Sequence, residues 1–157
     1  GQNEVLRLTQ SQVGYSYRAV VSYIDSHGTR EVLYTSPSET IDNLDDPVQG
    51  EVTIIGEPKE GVTLRALSDS LSDEDGIASI SISWETSKDG RNWVGLNSLS
   101  GPVLQLNQPL VGSQVRARVA VVDNFGIETN LYSQATRTVE NVNNKPSGRI
   151  VIRRVGQ

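Results

Sequence analysis

Displaced by 98 residues, the chain lies over itself without a gap: Leu8-Thr-Gln10 meets Leu106-Asn-Gln108, Val13-Gly14 meets Val111-Gly112, Asp25 meets Asp123 and Gly28 meets Gly126. The match runs on through Leu33-Tyr34 over Leu131-Tyr132 and Thr40 over Thr138, and ends with Gly50-Glu-Val-Thr-Ile54 over Gly148-Arg-Ile-Val-Ile152. Self-similarity at this period marks modules strung in tandem, so function is expected to lie in the array more than in any one pocket. The 157 residues then divide into one complete repeat at 44–142, the C-terminal half of a preceding repeat at 1–43, and the first strand of a following repeat at 143–157. A module of about 100 residues buries a core of its own, whereas a lone hairpin such as 1–43 is marginal in water. It is expected either to pack on the central module or to pair with a second copy of the chain as a strand-exchanged homodimer.

Alternation with period two dominates and helical spacing is nowhere sustained. Val52 and Ile54 oppose Thr53 and Ile55; Val62, Leu64 and Ala66 alternate with Thr63 and Arg65; Ile80, Ile82 and Trp84 alternate with serines and Glu85. Asp89-Gly90 then supplies the turn of a hairpin onto Trp93-Val94. Val103 to Leu106 is a short strand, and Val115, Ala117, Val119 and Val121 line a long one with Arg116 and Arg118 outward. Asp123-Asn-Phe-Gly126 turns the chain into a last strand over about 129–139. Residues 1–43 repeat this ending: Tyr17, Ala19, Val21 and Tyr23 alternate inward, Asp25 to Gly28 turns, and 31–41 returns; 147–155 repeat the first strand. The fold class is all-β: a seven-stranded sandwich of the immunoglobulin-like or fibronectin type III-like kind, cut from a tandem array. Trp84 is its expected centre. The linkers 42–47 and 140–146 each end in proline, which stiffens them and favours a fairly straight rod.

Composition narrows the chemistry. The chain contains neither cysteine nor methionine, which removes disulfides, zinc-thiolate sites and thiol catalysis together. No stretch approaches the roughly 18 apolar residues of a membrane span. A net charge of −5 argues against nucleic acid and anionic membranes as partners and leaves cations as plausible ones. His27 is the only histidine and sits in a hairpin turn opposite Phe125, so neither a nucleophile–base dyad nor a histidine metal site can be assembled. The chain reads as a non-enzyme.

The run Asp73-Glu-Asp-Gly76, Ile80-x-Ile-x-Trp84, Lys88-Asp-Gly90, Leu106-x-Gln108, Val111-Gly112 and Val119-x-Val121-x-Asp123-x-x-Gly126, closed by Thr138-Val-x-Asn-Val-Asn143, resembles the Ig-like repeats of large bacterial surface and secreted proteins. Such repeats occur in giant adhesins and in proteins with RTX, or haemolysin-type calcium-binding, regions. The resemblance implies an extracellular or cell-surface location and a stalk that is often stiffened by calcium.

In a seven-strand sandwich the second-to-third and sixth-to-seventh strand loops lie at the pole where the chain enters. Asp73 and Asp75, with Asp69, are therefore expected near Asp123 and Glu128 and near the incoming Asp45 and Asp46, with Asp42. Calcium takes six to eight oxygens, carboxylates and carbonyls mixed, which suits such a boundary. The competing reading is that these acids serve only as Asx turns and solvated loops. At the second linker Asn143, Asn144 and Lys145 stand where the first has Asp45, Asp46 and Pro47, so no cation is expected there.

The sequence thus points to a spacer or interaction repeat whose partners are neighbouring repeats of the same chain. Two alternatives stand beside it: a module binding a surface polysaccharide or host protein through an exposed row of rings containing Trp93, with Phe125 and Tyr132 elsewhere on its surface, and an accessory domain of a secreted hydrolase.

Overall fold

A computed structural model describes residues 5–153. The described residues form nine strands and two short 3₁₀ turns, at Gln10–Gln12 and Gln108–Leu110. The strands are β1 (Val20–Ile24), β2 (Arg30–Tyr34), β3 (Thr53–Ile55), β4 (Thr63–Leu67), β5 (Ile77–Ser87), β6 (Val94–Ser100), β7 (Val103–Gln105), β8 (Gln114–Asp123) and β9 (Glu128–Tyr132). Every strand pairing is antiparallel. Seven strands belong to the central unit, in a three-stranded sheet ordered β3-β4-β7 and a four-stranded sheet ordered β6-β5-β8-β9.

One core joins the two sheets, as in a β-sandwich. Val52, Leu64, Ala66, Leu104 and Leu106 come from the first sheet and its flanks, and Trp84, Val115, Ala117, Val119 and Val121 from the second. In β8 the burial alternates without a slip, because each inward valine or alanine meets the opposite sheet while each neighbour lies half-buried on the outer face. Trp84 is fully buried and donates its indole N–H to the Gly101 carbonyl at 3.0 Å, which satisfies its one polar atom. The β5–β6 turn is held by the Asp89 carboxylate, which accepts from the backbone N–H groups of Arg91 and Asn92 and from the Ser87 hydroxyl. Those bonds, the Asn92 and Arg91 amides first, hold Asp89 well below the usual carboxylate range.

The period read from the sequence recurs bond for bond. The register Val20↔Tyr34, Val21↔Leu33, Ser22↔Val32, Tyr23↔Glu31 and Ile24↔Arg30 becomes, 98 positions on, Arg118↔Tyr132, Val119↔Leu131, Ala120↔Asn130, Val121↔Thr129 and Val122↔Glu128. Gly14 N–H donates to the Ile41 carbonyl as Gly112 does to that of Val139. Arg18 lies 4.4 Å over the Tyr34 ring, and Arg116 lies 4.3 Å over Tyr132. The correspondence also extends upstream of Leu8, since Val5-Leu6-Arg7-Leu8 stands where Val103-Leu104-Gln105-Leu106 stands in the second copy.

Four expectations are corrected. The last strand stops at Tyr132 rather than running to 139, because hydroxyls take over as acceptors: Ala117 N–H donates to Ser133 Oγ and Val115 N–H to Thr136 Oγ1. Side-chain oxygens in the ladder interrupt its backbone pairing, and the first copy does the same with Thr35 and Ser38. Ile80 is exposed rather than core, because β6 pairs with β5 only from Ser83 onward and leaves that flank open. The strand expected at 147–155 is absent over the described part, 147–153, where the chain is extended and exposed with no β4 counterpart to pair with; residues 154 and 155 lie outside the described residues. Finally, β1 and β2 are exposed along their whole length and do not pack on the central unit, whose inner apolar faces are already turned to one another.

Candidate metal centre

Asp123 ends β8, and register places it opposite Ile77 at the start of β5. Its Oδ1 accepts from the backbone N–H groups of Phe125 at 2.9 Å and Ile127 at 2.7 Å, closing the β8–β9 turn. Asp75 lies two residues before β5. Its backbone N–H is fixed by Asp73 Oδ1 at 2.8 Å, and the turn closes through Gly76, whose φ of +81° is a conformation that favours glycine. Asp75 Oδ2 accepts from the backbone N–H of Asp46 at 3.0 Å, which pins the incoming linker to this loop.

Each buried aspartate thus uses one oxygen to hold the fold. The other, Asp75 Oδ1 and Asp123 Oδ2, is buried with no hydrogen-bond partner. Both residues are 4% exposed, and one carboxylate oxygen each from Asp75, Asp123 and the exposed Asp45 lie within 4.8 Å of one another. Buried carboxylate oxygens without a hydrogen-bond partner are costly, and a cation among them would supply what the protein does not.

Asp45 registers the strain. Partial desolvation first, then the charges of Asp123, Asp75, Asp73 and Asp46, hold its carboxyl above the usual range. A raised acid stabilises the fold below its unfolded value and loses that contribution as pH rises through its folded value. Without divalent cation, the stability difference between the wild type and Asp45→Asn is therefore expected to shift in favour of the variant as pH rises from 3.8 through the raised pKa. Urea denaturation in EDTA across that window checks it, and a pH-independent difference contradicts it.

Of the eight acidic residues that the sequence places at this pole, the structure gathers Asp45, Asp75 and Asp123. Asp73 and Asp46 stand close enough to raise Asp45, but one carboxylate is occupied by the Asp75 amide and the other residue meets the site through its backbone. Glu128 lies outside the cluster and accepts from Asn130 Nδ2 at 3.1 Å. Asp69 lines a separate recess with Glu51 and Thr53. The triad is visible in the sequence only as part of a larger acidic set.

Trp93 and Tyr132, which the alternative binding reading would need free, are engaged within the molecule. Arg116 lies 4.3 Å over both the Trp93 and Tyr132 rings, and its guanidinium bonds Glu85 at 2.7 Å. One face of each ring is therefore used within the molecule. Phe125 is exposed at the tip of the β8–β9 turn, and His27 at the tip of the β1–β2 turn. No family model, curated protein or solved structure matches the chain.

Proposed function

We propose that the chain is a run of spacer repeats from an extracellular or cell-surface protein of the adhesin or RTX kind, non-enzymatic, with calcium held by Asp45, Asp75 and Asp123 stiffening the join between consecutive units. The observation that carries the reading is a pair of buried oxygens without partners, Asp75 Oδ1 and Asp123 Oδ2, on two carboxylates that come within 4.8 Å of each other and of the linker's Asp45. Three carboxylates present the hard oxygen donors calcium prefers, with water and carbonyls to complete the shell. Sites of this kind in extracellular modules work at about 10⁻⁴–10⁻³ M calcium, which matches the proposed location.

Two further features support it. The two antiparallel sheets, ordered β3-β4-β7 and β6-β5-β8-β9, are compatible with a β-sandwich and so support a repeat of the fibronectin type III-like kind. The 42–47 linker is also tied at both ends, upstream by Gln10 Nε2 donating to Asn43 Oδ1 at 2.9 Å and downstream by the Asp46–Asp75 bond. A cation bridging Asp45 to the two loops adds a third tie and removes the repulsion that opposes closure. Asn143 and Asn144 at the second linker leave that join without the charge, so the rod has one calcium-dependent and one calcium-independent joint.

The chain's lack of cysteine makes the test direct. Spin labels at Ser22→Cys on β1 and Ser98→Cys on β6 report the hairpin-to-unit distance by pulsed electron resonance. Calcium is expected to narrow the distance distribution. Equal widths with and without calcium would overturn stiffening.

A further inference from the structure

The β1–β2 hairpin is built as one side of a sandwich whose other side is missing. Val21 and Tyr23 on β1 are 54% and 48% exposed, while their counterparts Val119 and Val121 on β8 are at most 1% exposed. Leu6 and Leu8, whose counterparts Leu104 and Leu106 lie on or just after β7 of the facing sheet, are 60% and 46% exposed against at most 1%. The backbone tells the same story. Tyr17 and Ala19 donate their N–H groups toward the β2 side. Alternation in an antiparallel pair therefore points the N–H groups of Val20, Ser22 and Ile24 the other way, to an open edge. In the second copy that edge of β8 is where β5 pairs over its length. An apolar face and a free strand edge in one place form a surface that calls for a covering partner.

We infer that this surface docks the front half of a preceding repeat of the same polypeptide, a segment equivalent to residues 44–98 lying N-terminal to Gly1, with a β5-like strand adding antiparallel to β1 and β3- and β4-like strands covering Leu6, Leu8, Val21 and Tyr23. The chain itself shows the occupied form of the surface: the same register, the same glycine and hydroxyl bonds and the same arginine–tyrosine stack recur in β8–β9, there closed by β3 to β7. A second intact copy is the poorer occupant, because its own front half is already closed by its own β8–β9. The inference rests on the tandem-repeat part of the proposed function and not on calcium.

The experiment compares amide exchange in the full chain with exchange in the full chain carrying a duplicate of residues 44–98 joined before Gly1, both in EDTA so that failure of the calcium reading cannot affect the result. The amides of Val20, Ser22 and Ile24 are expected to exchange freely in the parent and at least about a hundredfold more slowly in the extended chain, as edge amides do when a strand covers them. The duplicate is packed for Val115 and Val121 where the hairpin has Tyr17 and Tyr23. A second extended chain with Tyr17→Val and Tyr23→Val therefore removes any misfit. Slowing in either extended chain supports the docking. Unchanged exchange in both overturns it, as does a parent chain that sediments as a dimer with these amides already protected.

Discussion

Calcium added to the metal-free chain is expected to raise the melting temperature of the central unit by roughly 10 °C, and Asp123→Asn to abolish that gain. A ligand at a hundredfold excess over its Kd adds about 2.7 kcal/mol, and each kcal/mol moves a domain of 60–100 residues by about 4–8 °C. About 10 mM calcium gives that excess for a Kd near 10⁻⁴ M. The asparagine keeps an oxygen to accept from Phe125 and Ile127, so the turn survives while one of the three charges is lost. Removing that charge also relieves Asp45, and the metal-free variant is expected to melt no lower than the metal-free wild type. Magnesium, which dehydrates reluctantly and demands tighter geometry, is expected to do much less. A calcium response that persists in Asp123→Asn places the ion elsewhere.

The largest loss is expected from Trp84→Ala. Trp84 fills the space between the sheets with no exposure, and its N–H is already paired with Gly101. Its removal combines lost burial with a cavity the facing sheets cannot close and costs about 3–5 kcal/mol, much of the 5–15 kcal/mol that holds a domain together. Urea midpoints read the change, with Trp84→Phe as a milder companion that keeps most of the volume. A loss below about 1 kcal/mol for the alanine variant contradicts Trp84 as the keystone.

Local pattern alone makes much of this fold legible. Period-two alternation locates β3, β4, β5 and β8, the Asp89-Gly90 turn places the start of β6, and the recurrence at 98 residues anticipates a hairpin whose register repeats pair by pair. What escapes the sequence is non-local. Ile80 alternates in phase with Trp84, yet its burial depends on where β6 begins to pair. The β9 end depends on which acceptor wins, the carbonyl or the hydroxyl of Ser133 and Thr136, and both choices read alike in sequence. At the acidic pole, loop placement brings Asp75 and Asp123 together as expected, but separating them from Glu128 and Asp69 requires knowing which way each side chain turns. The unpaired oxygens, the strongest sign of a cation, have no sequence signature at all.

The most direct measurement is a calorimetric titration of the full chain with calcium, beside the double variant Asp75→Asn/Asp123→Asn. A single site per chain is expected in the wild type, and no heat of binding in the variant. Absence of binding in the wild type up to several times the 10⁻⁴–10⁻³ M range of extracellular calcium modules, or an undiminished isotherm in the variant, would contradict it.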